Sequence, residues 1–334
     1  MQKIPILIDC DTGIDDAMAL VLGLSDPTLD IKAITTVAGN VACEQTTRNT
    51  LNVVHFLGRS DIPVARGAEK PLERKLMKAS GVHGVSGLRG WNFPVNYKEN
   101  LSSLTAWDLL RNILMDSSEP LTIVSLGPMT NIAILLEKYP EVKTHIKKVV
   151  FMGTSYHCGN PTALATFNVL VDPEAFRKVL FSGISFMACP LEVTRTMTIT
   201  SAEMEQINNM NSEVSRFVIA ILSHYGLSAM GKEEIIQHDA SEETISVNRI
   251  TKSKEEGVTL HDPATLFSVI DPTAISTKKY YCDVETKGEL TTGFTLIDKN
   301  DYYKKSDSEK NLTLIEHLDR SRFASRLIAN IQRY

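Results

Sequence analysis

Strand-length apolar runs that alternate with helix-period segments constrain this chain more than any other feature. The first run is Ile4–Ile8. A segment starting near Asp15 then puts Ala17, Leu20, Val21 and Leu24 on one helical face. The run Ile31–Val37 precedes a helix from about Glu44 to Leu57. Leu121–Leu126 leads to a helix opening at Pro128, Val149–Met152 to one opening at Asp172-Pro173-Glu174, and Ile184–Ala188 follows. Runs that are apolar throughout suit strands buried on both faces, so the pattern predicts a mainly parallel open sheet flanked by helices. No linker, repeat or low-complexity tract divides the 334 residues, and a single α/β domain over 1–334 is expected. The last third is less regular: Lys278–Glu285 and Glu289–Ile297 resemble a hairpin, and His317–Gln332 a closing helix.

Composition narrows the partners. The net charge is -5 and no basic stripe is visible, which argues against a nucleic-acid backbone as ligand. No apolar run has the length of a membrane span. The chain passes from Met1-Gln2-Lys3 directly into Ile4–Ile8, without the apolar region and cleavage site of a signal peptide, so a cytoplasmic location is expected. Cys10, Cys43, Cys158, Cys189 and Cys282 are scattered and form no CxxC pair, which speaks against a zinc site or a disulfide framework. Cys10 and Cys189 fall in apolar runs and read as buried small residues.

Ligands of open α/β sheets sit beyond the carboxyl ends of the strands. At the end of the first run, Ile8-Asp9-Cys10-Asp11-Thr12-Gly13-Ile14-Asp15-Asp16 packs four carboxylates into eight residues. So many acids repel one another unless a positive charge sits among them, and oxygen ligands suit calcium or magnesium. Single members allow blander roles; Asp15 would serve as a helix N-cap. Other readings of the segment fail: the phosphatase pattern Asp-x-Asp-x-Thr has Gly13 at its last position, and no GxxxxGK[ST] loop exists. Gly81, Gly84, Gly87 and Gly90 follow no apolar strand and mark a flexible loop rather than a dinucleotide cradle.

Other strand ends supply further candidates. Asn40 closes Ala38-Gly39-Asn40, where it either holds a turn or serves a ligand. After Leu121–Leu126, a first helical turn at Pro128 would leave the Leu126 carbonyl pointing out of the strand end, where it can serve a metal. Met152 ends a strand, and Asn160 and Asn168 follow it, either as loop formers or as readers of sugar hydroxyls. Asp172-Pro173-Glu174 reads as a helix start and nothing more. Asp262, before Pro263, fits an N-cap equally well as a ligand. His83 and His261 gain interest only if they converge on the acidic cluster.

Together these residues resemble the inosine–uridine-preferring nucleoside hydrolase family over nearly the whole chain. The most specific element is Asp9-Cys10-Asp11-Thr12-Gly13-Ile14-Asp15-Asp16, which matches the family's Asp-x-Asp-x-x-x-Asp-Asp signature. Val37-Ala38-Gly39-Asn40, Val82-His83-Gly84, Leu126-Gly127-Pro128-Met129-Thr130-Asn131, Gly159-Asn160, Phe167-Asn168 with Val171-Asp172-Pro173-Glu174, and His261-Asp262-Pro263 support it in order. The resemblance implies a tightly held calcium ion, a nucleoside substrate and usually a homodimer or homotetramer. It implies that Asp11, Asp16, Asp262 and the Leu126 carbonyl bind calcium, with Asp11 also the general base. Asp15, Asn40, Asn160 and Asn168 would hold ribose hydroxyls, with Met152 against the sugar. His83 and His261 would face the base, with His261 as the acid for the leaving group. One position departs from the pattern. Where family members usually carry a Glu that helps bind the ribose 5′-hydroxyl, this chain has Thr166.

The chemistry fits these residue types. Cleaving an N-glycosidic bond builds positive charge on the ribose, a metal-held water is an effective nucleophile, and a histidine with an ordinary pKa near about 6.5 suits protonation of the departing base. The expected activity is therefore ribonucleoside hydrolysis to free base and ribose. Hydrolysis of a 5′-modified riboside is the alternative within the same chemistry. A calcium-bound nucleoside-binding protein without turnover is a third reading, against which the intact Asp11, Asp15, Asp16 and His261 argue. The segment His224–Lys232 is the candidate base-side loop, with Tyr225 either stacking on a base or packing a helix end.

Overall fold

The run that opens the chain forms β1 (Ile4–Cys10), the axis on which the rest is arranged. The computed structural model describes residues 3–229 and 257–334, with the backbone alone at 226–229. Seven further strands join β1 in one sheet. They are β2 (Leu29–Thr36), β3 (Val64–Arg66), β4 (Leu121–Ser125), β5 (Ile146–Met152), β6 (Phe186–Cys189), β9 (Ile275–Tyr280) and β12 (Leu312–Leu318). Their order is β3-β2-β1-β4-β5-β6-β12-β9. All neighbours run parallel except the edge pair β12–β9. Two short antiparallel ribbons complete the strands: β7 (Thr198–Ile199) with β8 (Val258–Thr259), and β10 (Cys282–Val284) with β11 (Thr295–Ile297).

Helices cover both faces. They are α1 (Ile14–Leu24), α2 (Cys43–Phe56), α3 (Ser80–His83), α4 (Ala106–Asp116), α5 (Thr130–Lys138), α6 (Phe167–Val171), α7 (Pro173–Leu180), α8 (Leu191–Thr194), α9 (Ser201–Asn208), α10 (Glu213–Ala229), α11 (His261–Ile270) and α12 (Arg320–Ile331). One apolar layer joins α1, α2, α10, α11 and α12 to the sheet, and a second joins α4, α5 and α7 to its other face. Every residue of α1 is buried, Asp15 and Asp16 included. A helix that is apolar almost all round belongs in the interior, and this one carries the acidic cluster in with it.

Chain direction across the sheet reverses between β1 and β4, so the connections leave in opposite directions and open a crevice at their carboxyl ends. Asp9 stands there, level with Thr35 on β2 and Ser125 on β4.

The single α/β domain with its mainly parallel sheet is as expected. Several details differ. The hairpin is confined to β10 and β11, because Lys278–Tyr280 belongs to β9 and pairs with β12 at the sheet edge. The strand β12 lies where the closing helix was expected to begin: His317 is in it, and α12 starts only at Arg320, where Asp319 caps it by accepting from Arg322 N at 3.0 Å. The helix expected at Pro128 begins at Thr130. The glycine-rich loop is pinned, since Asn49 Nδ2 donates to Ser86 O at 2.8 Å and to Thr12 O at 2.9 Å. None of the five cysteines is disulfide-bonded, and Cys10 and Cys189 are buried as expected. No helix among the described residues is long and apolar enough to cross a membrane.

Candidate active site

The acidic segment enters the crevice as β1 ends. Gly13 caps α1, and its N–H donates to Asp16 Oδ2 at 3.0 Å while Asp11 N–H donates to Asp16 Oδ1 at 3.1 Å. Asp16 is thus held by the turn it follows. The chain after β2 closes on it: Asn40 N–H donates to Asp11 Oδ2 at 2.7 Å, and Asn40 Nδ2 donates to Asp16 Oδ2 at 3.0 Å and to Asp11 O at 3.2 Å. Asn40 therefore does more than hold a turn.

Asp15 does not cap its own helix. Its Oδ2 accepts from His261 N at 2.9 Å and Asp262 N at 3.2 Å, the first N–H groups of α11. A carboxylate there meets both unsatisfied donors and the positive end of the helix dipole. Asp262 is not an N-cap either; Leu260 occupies that position, and Asp262 lies one residue inside α11. Its carboxyl and that of Asp11 each meet the carboxyl of Asp16. Burial pushes Asp11 and Asp262 well above the usual carboxylate range, and the charge of Asp16 adds to it in both; burial also raises Asp16, against the amides that bind it.

The base-side residues converge on the same cavity. His83, at the end of α3, accepts from Ile14 N–H through Nδ1 at 3.0 Å. That bond assigns the proton of the neutral ring to Nε2. A Cβ on Gly13 would lie 2.5 Å from His83 Nδ1, so the glycine permits this approach. His261 Nδ1 pairs with Thr194 Oγ1 at 2.7 Å. Tyr225 is buried in α10, its ring centroid 5.8 Å from that of His83. The expected loop around Tyr225 is thus helix as far as Ala229, and residues 230–232 lie outside the described residues.

On the far side, Asn168 Nδ2 donates to the carbonyls of Leu126 (2.5 Å) and Met152 (3.0 Å), tying the ends of β4 and β5 together. Asn160 Oδ1 accepts from Phe167 N at 2.9 Å, and Thr166 Oγ1 from Thr154 N at 3.2 Å. One open cavity is lined by Asp15, Asn40, His83, Leu126, Met152, Asn160, Thr166, Asn168, Tyr225, His261 and Asp262, among others. Asp11 and Asp16 lie directly behind it, buried beneath Asn40.

Two supports escaped the sequence reading. Asn131 is a buried junction: Nδ2 donates to Asp9 Oδ1 (2.7 Å) and Thr36 O (2.9 Å), and Oδ1 accepts from Ala68 N (2.9 Å). It joins the ends of β1, β2 and β3, so Asp9 braces the site from below. Burial pushes Asp9 up to about 7, against its bonds from Asn131 and Thr35. Asp172 is more than a helix start. It caps α7 through Ala175 N, and its other oxygen accepts from Leu72 N and Thr130 Oγ1, fastening the segment that leads to His83. Nothing local to Asn131 or Asp172 signals these long-range bonds.

Asp11, Asp16, Asp262 and the Leu126 carbonyl offer oxygen donors only. Among the described residues no Lys or Arg lines the cavity to balance them, nor do three or more His, Cys, Asp or Glu form a ready-made metal cage. Carboxyls crowded without a counter-charge must hold protons or a cation, and this donor chemistry fits a hard divalent ion.

The sequence model of the inosine-uridine preferring nucleoside hydrolases matches residues 6–325. A pyrimidine-specific ribonucleoside hydrolase, RihA, of Salmonella enteritidis PT4 is 39% identical over 333 residues, covering 100% of both chains. Among solved structures, a purine-preferring ribonucleoside hydrolase from Gardnerella vaginalis superposes with a TM-score of 0.84 at 26% identity, covering 98% of each chain. An inosine-guanosine nucleoside hydrolase superposes with a TM-score of 0.83 at 25% identity over 99% of each.

Proposed function

The chain belongs to the inosine-uridine preferring nucleoside hydrolase family and hydrolyses the N-glycosidic bond of ribonucleosides, and we propose that it does so with calcium, with Asp11 as general base and with His261 as general acid. The observation that carries this reading is the meeting of three buried carboxyls behind a cavity that His261 also lines. Asp11, Asp16, Asp262 and the Leu126 carbonyl would hold the ion. When bound, it supplies the charge that keeps these carboxylates ionised and lowers the pKa of a water it holds.

Asp11 Oδ2 is committed to Asn40 N–H, and the other oxygen takes the proton of the attacking water. Asp15, Asn40 and Asn168 hold the ribose diol and Met152 packs against the ring, fixing C1′ in reach of attack. His261, with Nδ1 on Thr194 Oγ1, delivers a proton from Nε2 to the departing base. His83 and Tyr225 flank the base, with the Nε2–H of His83 as a donor to it. We assign a pyrimidine preference, because the full-length relatives at 39% identity are named for it while the purine-preferring structure stands at 26%. The enzyme is taken to act in the cytoplasm as a homodimer or homotetramer in nucleoside salvage.

Ribose release from uridine, cytidine, inosine and guanosine in the presence of calcium tests the reading, with the pyrimidines expected to show the higher kcat/KM. Turnover of none of the four would sink it. His261→Ala should lower the rate on uridine by about a hundredfold, the low end for loss of an acid, yet leave p-nitrophenyl riboside nearly untouched, since that leaving group needs no proton. Equal losses would put His261 in sugar binding instead.

A further inference from the structure

A β-ribonucleoside reaches from its ring in three directions: the base at C1′, the diol at C2′ and C3′, and C5′ across the ring oxygen. The cavity has three matching sides. In the proposed reading His83, Tyr225 and His261 form the base side and the carboxylates with Asn40 and Asn168 the diol side. Asn160, Thr166 and Phe167 also line the cavity, at the segment where the family resemblance implies contact with the 5′ position, and are taken as the C5′ side.

This third wall is made unlike the other two. A primary hydroxyl needs an acceptor for its proton, and a charged acceptor is the strongest. Asp15 and Asp262 are the acids among the cavity's lining residues, and both belong to the diol side. The acceptors the wall does contain are already engaged by backbone: Thr166 Oγ1 by Thr154 N–H and Asn160 Oδ1 by Phe167 N–H. What remains to face a ligand is neutral: the Thr166 O–H, the Asn160 amide N–H groups and the second lone pair of each oxygen, with no charged acceptor among them.

The arrangement is not incidental to the loop. Thr154 adopts φ 75°, left-handed backbone that a β-branched residue rarely takes, and its buried Oγ1 has no hydrogen-bond partner among the described residues. The contorted residue is the one whose N–H binds Thr166. Behind the donors, Phe167 packs with Ala79, Val171, Leu76 and Met77 in a small apolar cluster separate from the two main layers.

We propose that this wall selects ribonucleosides that lack a 5′-hydroxyl and carry a short apolar group at C5′, such as an alkylthio substituent. The inference rests on the N-glycosidase reading above. The reaction is the same: the water oxygen joins C1′, the C1′–N bond breaks, the base leaves with a proton, and 5′-substituted ribose is released. A thioether sulfur or ether oxygen at C5′ accepts from Thr166, and its alkyl group meets Phe167.

The test compares kcat/KM of the calcium-loaded native enzyme on uridine, 5′-deoxyuridine and 5′-methylthio-5′-deoxyuridine. The analogues should match or exceed uridine. Thr166→Glu should improve uridine relative to 5′-deoxyuridine by about tenfold or more, or about 1.4 kcal/mol. A native enzyme that rejects both analogues by about a hundredfold, near 2.7 kcal/mol, overturns this inference and leaves ribonucleoside hydrolysis intact. Release from none of the three substrates overturns both. The native comparison decides the matter even if Thr166→Glu fails to fold.

Discussion

In the proposed reading the carboxylate side of the cavity and the Asn160–Thr166 wall would bind neighbouring parts of one sugar, yet they are stabilised in opposite ways. Asp11, Asp15, Asp16 and Asp262 are buried and crowded, and the first three accept from amides of the turn after β1, of Asn40 and of α11. Every substitution there disturbs charge among largely buried groups, where unpaired charge is most costly. The opposite wall belongs to one loop and α6, is uncharged, and contains the strained Thr154. Neutral substitutions there change which donors and acceptors are offered without touching the charge balance. The proposed reading therefore puts the chemistry where the fold is least tolerant, and substrate choice where it is most tolerant.

The sharpest way to break that contrast is Asp11→Ala. It should lower kcat by at least about a hundredfold, the low end for loss of a general base, and weaken calcium binding in a calorimetric titration of the same protein. A variant with near-native rate and affinity would remove Asp11 from both roles.

A second measurement separates charge from packing. In the cation-free protein Asp11, Asp16 and Asp262 hold their protons to higher pH than the unfolded chain does. Their contribution to stability is then fully present below about pH 4, near the unfolded carboxylate value, and is lost as pH rises through the raised folded values. In the proposed reading calcium takes the place of those protons, so the gain in Tm on adding it should grow as pH rises above about 4. A constant gain across that range would mean that the carboxyls titrate as ordinary surface acids.

The smallest effect sharpens the other side. Thr154→Gly should raise stability toward denaturant by about 1 kcal/mol, because glycine carries no steric penalty in the left-handed region. A loss of stability would show that the Thr154 side chain supports the wall by more than its strained backbone costs.

Much of this was legible in the primary structure. Continuous apolar runs such as Leu121–Leu126 announce buried parallel strands because their burial is local information. The spacing of Asp9, Asp11, Asp15 and Asp16 announces a charge problem that something must solve. The β12 strand was not legible, since Leu312–Leu318 mixes polar and apolar residues and directly precedes a helical pattern; pairing with β6 and β9 settles it. The N-cap alternative for Asp15 failed, and Asp172 and Asn131 were misread or passed over, for a related reason. Each bonds backbone far from it in sequence: Asp15 to α11, Asp172 to Leu72, Asn131 to Ala68.

The sequence by itself determined the fold class, the cluster of four carboxyls at Asp9, Asp11, Asp15 and Asp16 and the absence of an acid at position 166, because periodicity and residue chemistry are properties of the chain. Only the tertiary structure decided that Asp262 and His261 join an acidic cluster some 250 residues earlier, that His83 presents Nε2–H, and that Thr166 has its oxygen engaged by Thr154. Hydrogen bonds fix tautomers and use up acceptors only between groups that folding brings within about 3 Å, and no local pattern records which groups those are.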